Sequence, residues 1–149
     1  MSKKIILLGR GDLAIRIANW FVKSENFELI KIVPVIPEST WMDSLLEWAK
    51  KNKISYVTSG DYNDIDNVHD PDWKIDLVFS CFYDKIIKQW FIDKCEKILN
   101  LHHAPLPRYR GILPINWSLC TLQLLKISSA VSDALIPILF SFLPDIKPA

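Results

Sequence analysis

The sequence predicts an α/β fold: a doubly wound, mainly parallel sheet with flanking helices. Two observations predict it. Short runs of β-branched and leucine residues alternate with amphipathic helical stripes over the first hundred residues, and the first run ends in a glycine-rich turn that opens a helix. Lys4-Ile5-Ile6-Leu7-Leu8, stopped by Gly9, is apolar on both faces and so reads as a buried, central strand. Ala14, Ile17, Ala18 and Phe21 then recur at the spacing of a helix lying on a sheet. A second strand spans 29–35 and is ended by Pro34 and Pro37. Thr40 with Asp43 forms a capping-box pattern before Trp41, Leu45, Trp48 and Ala49 on one helical face.

The alternation continues with a third strand over 54–58. A polar, acid-rich loop over 59–72 reads as solvated surface, and a fourth strand spans 75–80. Ile87, Trp90, Phe91 and Cys95 set a further helical stripe, and a fifth strand spans 98–101. Strands that alternate with helices pair in parallel through right-handed crossovers.

The chain has 149 residues, which suits one domain with a real core rather than a two-domain enzyme. Half of the residues are apolar, 23% are charged and the net charge is +1. That balance excludes disorder and a strong electrostatic demand for nucleic acid, leaving a small molecule as the expected partner. Three cysteines, Cys81, Cys95 and Cys120, stand at wide spacings, which argues against a disulfide framework or a metal site. Met1-Ser2-Lys3-Lys4 leads into too few apolar residues for a signal peptide, and the apolar stretch 134–143 is interrupted by Pro137 and falls short of the roughly 20 residues of a membrane helix. A cytoplasmic chain without a membrane partner is expected.

Open α/β sheets bind ligands beyond the carboxyl ends of their strands, so the residues that close the strands are the first candidates for a site. Gly9-Arg10-Gly11-Asp12-Leu13-Ala14 fits a dinucleotide fingerprint, yet 32–36 supplies no acid for a ribose hydroxyl. The alternative is a tight strand-to-helix turn whose backbone N–H groups receive an anion such as a substrate phosphate. The second place is Asn100-Leu101-His102-His103-Ala104-Pro105-Leu106-Pro107-Arg108-Tyr109-Arg110-Gly111, continuing to Pro114-Ile115-Asn116-Trp117. Side chains at i and i+2 of a strand share a face, so Asn100 and His102 converge while His103 turns away. Pro105 and Pro107 stiffen the loop that follows into a preformed pocket wall. His102 alone would read as a satisfied core histidine; beside Asn100 and this loop it reads as functional.

At these residues the chain resembles the folate-dependent formyltransferases, whose hallmark is N-x-H-x-S-L-L-P followed by an aromatic or basic stretch, R-G and often P-I. The resemblance covers about residues 3 to 120 and implies a Rossmann-like core. It puts Asn100 and His102 on the family's catalytic asparagine and histidine, and Ala104, Pro105, Leu106 and Pro107 on the loop that lines the folate site. Ala104 replaces the usual serine and so removes one hydroxyl contact. Phe82-Tyr83-Asp84-Lys85-Ile86-Ile87 resembles the segment that contacts the pterin, which makes Phe82, Tyr83 and Ile86 cofactor-binding candidates, and Gly9, Arg10, Gly11 and Arg110 are the substrate-binding candidates. His-His-Ala-Pro-Leu-Pro-Arg-Tyr-Arg-Gly and Leu-Gly-Arg-Gly-Asp-Leu-Ala look more like sugar N-formyltransferases than initiator-tRNA enzymes. The implied donor is 10-formyltetrahydrofolate and the implied acceptor a nucleotide-linked amino sugar.

Formyl transfer to an amine requires removal of a proton from the amine, stabilisation of an oxyanion and protonation of the leaving nitrogen. An imidazole titrating near neutrality suits the first and last steps, and a neutral amide donor suits the second. The family adds an aspartate in a D-x-G-x-I-L sequence roughly three dozen residues downstream. The nearest echo is Asp133-Ala134-Leu135-Ile136-Pro137-Ile138-Leu139, which makes Asp133 the candidate acid, with a solvated carboxylate as the alternative. The division expected is therefore a core over 1–120 and a divergent tail over 121–149, explained by truncation or a reading-frame change. Apolar surface left by a missing sheet edge would favour self-association into a homo-oligomer. Two further readings stay open: a relative that binds folate or nucleotide without turnover, and a dehydrogenase using the glycine turn.

Overall fold

Ile5, Ile6, Leu7 and Leu8 are fully shielded from solvent, and the sheet is built around them. The computed structural model describes residues 2–101. Strand β1 (Lys3–Gly9) lies between β2 (Phe27–Pro34) and β3 (Ile75–Cys81), and β4 (Cys95–Leu101) pairs with β3, giving the order β2-β1-β3-β4 with every pairing parallel. The doubly wound, parallel α/β arrangement expected from the sequence is present. The register aligns the strand ends: Gly9 stands opposite Pro34 on one side and Cys81 on the other, and Cys81 stands opposite Leu101. The chain runs from β1 outward to β2 and returns across β1 to β3. This reversal makes the gap between β1 and β3 the place where an open sheet leaves a crevice at its carboxyl edge.

Alternation along β1 divides the core into two faces. On one, helix α1 (Gly11–Lys23) buries Ala14, Ile17, Ala18 and Phe21, the stripe predicted for it. The Phe21 ring meets Phe27 at 5.6 Å and Phe79 at 6.1 Å, so it bridges β2 and β3 across the central strand. Burying such a ring contributes roughly 2–3 kcal/mol. On the other face Ile6, Leu8, Val33 and Val78 pack with Val57, Tyr62, Ile65, Val68 and Phe91.

That second face corrects the reading of 59–72 as solvated surface. Tyr62 is 1% exposed, and Ile65 and Val68 are buried with it. Residues Tyr62–Asp64 form a 3-10 turn, and the i, i+3, i+6 spacing of Tyr62, Ile65 and Val68 keeps them on one side of successive tight turns. Asp64 and Asp66, interleaved with them, supplied the polar look of the segment.

Three other expectations change. Residues 54–58 form no full strand; Tyr56 makes an isolated parallel bridge to Ile32, with Ile32 N–H donating to Ser55 O at 2.9 Å and Val57 N–H to Ile32 O at 2.9 Å. The described sheet therefore has four strands, not five. Helix α2 (Leu45–Lys51) starts later than expected, because Ser44, not Thr40, is its cap: the Ser44 hydroxyl accepts from Glu47 N–H at 2.9 Å. The Glu38 carboxylate in turn accepts from the Ser44 hydroxyl and from Leu46 N–H, leaving Trp41 ahead of the helix and 80% exposed. Helix α3 (Gln89–Ile92) is only four residues long, and Cys95 opens β4 instead of closing the helical stripe. No helix among the described residues is long and apolar enough to cross a membrane.

Candidate functional site

At the carboxyl edge the chain leaves β1 through a turn that only glycine can make. Gly9 has φ +153°, its carbonyl accepts from Val35 N–H at 3.0 Å, and Arg10 N–H donates to Cys81 O at 3.2 Å. The ends of β2, β1 and β3 are thus tied together by backbone alone. Gly11, at φ +76°, starts α1 with the Met42 thioether packed where a β-carbon would point. Asp12, in the first turn of α1, accepts from Asp43 N–H at 3.2 Å, so a carboxylate at the positive end of the helix also pins the 38–44 segment beside the glycine turn. The end of β2, Val33-Pro34-Val35, is buried and carries no acid.

Across the crevice, β3 runs into the segment 82–88. Phe82 adopts φ +60°, a left-handed conformation that costs a non-glycine residue about 1–2 kcal/mol. The next residue is anchored: Tyr83 Oη donates to Gly60 O at 2.9 Å and accepts from Tyr62 N–H at 3.3 Å. Burial holds the Tyr83 phenol above its usual range. Lys85 Nζ meets Asp61 Oδ2 at 3.3 Å, and Tyr62 Oη donates to Ile86 O at 3.0 Å while accepting from Lys88 N–H at 3.0 Å. Asp61 is held below the ordinary carboxylate value, first by the N–H of Asn63 and further by the Asn63 amide and Lys85. Above this fastened backbone the Ile86 side chain is 86% exposed.

Asn100 is the penultimate residue of β4, exposed, and in register with Ser80. The sheet therefore brings Gly9, Arg10, Gly11, Phe82, Tyr83 and Asn100 to its carboxyl edge. His102, Ala104, Pro105, Leu106, Pro107, Arg110 and Asp133 lie outside the described residues. Sequence reasoning missed Tyr62, Gly60 and Asp61, which carry the 82–88 segment from beneath. The readable signal was Asp61 two residues ahead of Asn63, an Asx turn, following a glycine. Among the described residues no group of three or more His, Cys, Asp or Glu side chains could hold a metal ion. Cys81 and Cys95 are free thiols, each pushed up to about 12 by burial.

Residues 47–122 match the family model described as formyl transferase. Among curated proteins, the chain is 29% identical over 127 residues to a methionyl-tRNA formyltransferase of Finegoldia magna, covering 80% of this chain and 41% of that protein. It is 29% identical over 124 residues to the corresponding protein of Acetivibrio thermocellus, covering 78% and 40%. The chain spans less than half the length of these relatives. Among solved structures, it is similar to WlaRD, a sugar 3N-formyl transferase determined in the presence of dTDP and 5-N-formyl-THF, with a TM-score of 0.64 and 26% identity over 81% of this chain and 42% of that one. The fold is shared with an N-formyltransferase from Helicobacter canadensis in complex with folinic acid and dTDP-3-aminofucose, at a TM-score of 0.62 and 24% identity over 81% and 43% of the two chains.

Proposed function

The chain belongs to the formyl transferase family, and from that premise we propose that it serves to move a formyl group from 10-formyltetrahydrofolate to the amine of a nucleotide-linked amino sugar. The observation that carries the reading is the position of Asn100, two residues ahead of His102 in sequence, at the end of the strand that pairs with β3. The likeness to WlaRD supports a sugar acceptor, and the nearly balanced charge disfavours a tRNA acceptor, whose phosphates demand a basic surface. In this reading residues 1–120 are the working core and 121–149 a divergent tail.

Each residue then has a role. The Asn100 amide donates a hydrogen bond to the formyl oxygen as it gains negative charge, worth about 3 kcal/mol of barrier. His102 takes the proton from the attacking amine and returns it to the nitrogen that leaves; Asp133 orients and charges the imidazole. This reading assigns binding of the donor to Phe82, Tyr83 and Ile86 and to Ala104, Pro105, Leu106 and Pro107. It assigns binding of the acceptor to Gly9, Arg10, Gly11 and Arg110.

The test is mass-spectrometric detection of formylated product with 10-formyltetrahydrofolate, a panel of nucleotide-linked amino sugars, and initiator methionyl-tRNA. Product from a sugar, with turnover reduced about 100-fold or more in His102→Ala and Asn100→Ala, is the expected result. Product from the tRNA alone overturns the sugar assignment. A second reading rests on the altered surroundings of Asp133, where the D-x-G-x-I-L pattern is absent. Bound 5-formyltetrahydrofolate with no product from any acceptor would establish that reading, a folate-binding relative without turnover.

A further inference from the structure

Two tyrosine hydroxyls lie beneath the candidate donor wall, and each acts as donor and acceptor at once. Tyr62 Oη joins Ile86 O to Lys88 N–H, both at 3.0 Å; Tyr83 Oη joins Gly60 O at 2.9 Å to Tyr62 N–H at 3.3 Å. A phenol that spans two backbone groups satisfies polar atoms that a helix or strand would otherwise pair, and the 82–88 segment is neither helix nor strand over these residues. The irregular backbone is thereby held at Ile86 and Lys88, and the Tyr83 side chain ties it to Gly60 and Tyr62. The Tyr62 ring is buried against Phe91, with centroids 4.8 Å apart, so its hydroxyl is presented from the rigid core.

The geometry has a direction. Cys81 O is held by Arg10 N–H on one side of Phe82, and Tyr83 is held by its hydroxyl on the other, so the left-handed turn at Phe82 is fixed from both ends. A strained residue persists only where its surroundings determine it, and such residues gather at ligand sites. Four residues on, the Tyr62 hydroxyl holds the carbonyl of Ile86, whose side chain stands out into solvent.

We propose that Tyr62 and Tyr83 are positioning residues for the formyl donor: their hydroxyls hold the 82–88 backbone so that Phe82 and Ile86 present a preformed wall to the folate ring system. The inference rests on the donor assignment made above. It makes donor affinity depend on two hydroxyls that lie behind the wall and leaves acceptor affinity independent of them, because the glycine turn is tied to β3 through Arg10 and Cys81 instead.

Tyr62→Phe and Tyr83→Phe in the full chain test it, since each keeps the ring and removes only the oxygen. Calorimetric titration with 5-formyltetrahydrofolate reads the donor site, titration with dTDP reads the acceptor site, and amide exchange reads residues 82–88. Each variant is expected to bind the folate five- to tenfold more weakly, with dTDP affinity within twofold of wild type and faster exchange confined to 82–88. Phe91→Leu, which loosens the packing of the Tyr62 ring and leaves its hydrogen bonds in place, is expected to lower the melting temperature without weakening folate. Folate affinity unchanged in both tyrosine variants overturns the proposal alone. Equal losses for folate and dTDP, or a loss in Phe91→Leu as large as in Tyr62→Phe, overturn it in favour of general stability. Wild-type protein that binds no folate overturns the donor assignment and this inference with it.

Discussion

The carbonyl oxygen of Cys81 stands 2.0 Å from the point that a β-carbon on Gly9 would occupy. The two strand ends approach as closely as bare backbone permits, and neither side of that contact can swing away. Gly9→Ala must separate β1 from β3 or distort the turn, on top of a backbone conformation at φ +153° that side chains avoid. The expected loss is about 3 kcal/mol or more, a large part of the stability of a domain this size. Gly11→Ala should cost less, because its obstacle is the flexible thioether of Met42 at 2.9 Å. Urea unfolding of the two variants checks the order.

Helix α2 ends in a Schellman motif built on the wrong residue. Ile54 N–H donates to Ala49 O at 3.0 Å and Lys53 N–H to Lys50 O at 3.2 Å, with Lys53 at φ +57° in the position that glycine usually fills. The Lys53 side chain is exposed, so little packing is lost by removing it. Lys53→Gly should stabilise the protein by about 1 kcal/mol and raise the melting temperature by a few degrees in a thermal scan.

Asp61 carries a pH dependence of definite sign. Its folded-state value lies below the ordinary 3.8, so it stabilises the protein at pH above that value and ceases to do so as pH falls through the lower folded value. Asp61→Asn keeps an acceptor for Asn63 and loses the charge facing Lys85. With both side chains about a third exposed, the difference in stability near neutrality should be under about 1 kcal/mol. Denaturation curves at pH 7 and below pH 3 should show the difference shrinking as the medium becomes acidic; a difference that grows would contradict the assignment.

The thiols of Cys81 and Cys95, raised to about 12 by burial, should resist alkylation in the native state at pH 8. Peptide mapping after iodoacetamide treatment should find both unmodified, and both modified in urea. Native modification of Cys81 would reveal opening of β3 at the edge where the site is built.

The central strand and the first helix were legible because their burial is periodic and uninterrupted: Ile5 to Leu8 are apolar on both faces, and Ala14, Ile17, Ala18 and Phe21 repeat without a break. The start of α2 was misread because two capping patterns overlap, and the choice between Thr40 and Ser44 is made by the Glu38 carboxylate, which accepts from the Ser44 hydroxyl and from Leu46 N–H. The 59–72 segment was misread because Tyr62, Ile65 and Val68 are buried at every third residue between outward acids, and no strand or α-helical period describes that. The position of Asn100 at the carboxyl edge followed from the strand pattern. The supporting tyrosines did not, because Tyr62 and Tyr83 meet only after the chain has folded back from β2 to β3.

The sheet order also sets a schedule for synthesis. When β2 emerges from the ribosome, Ile5 can pair with Leu29, but its other neighbour, Leu77, has not been made. The fully buried run from Ile5 to Leu8 then waits with one open edge for several seconds at ordinary translation rates. Chaperone capture of nascent chains should therefore peak before residue 81 clears the exit tunnel and fall once β3 closes the gap.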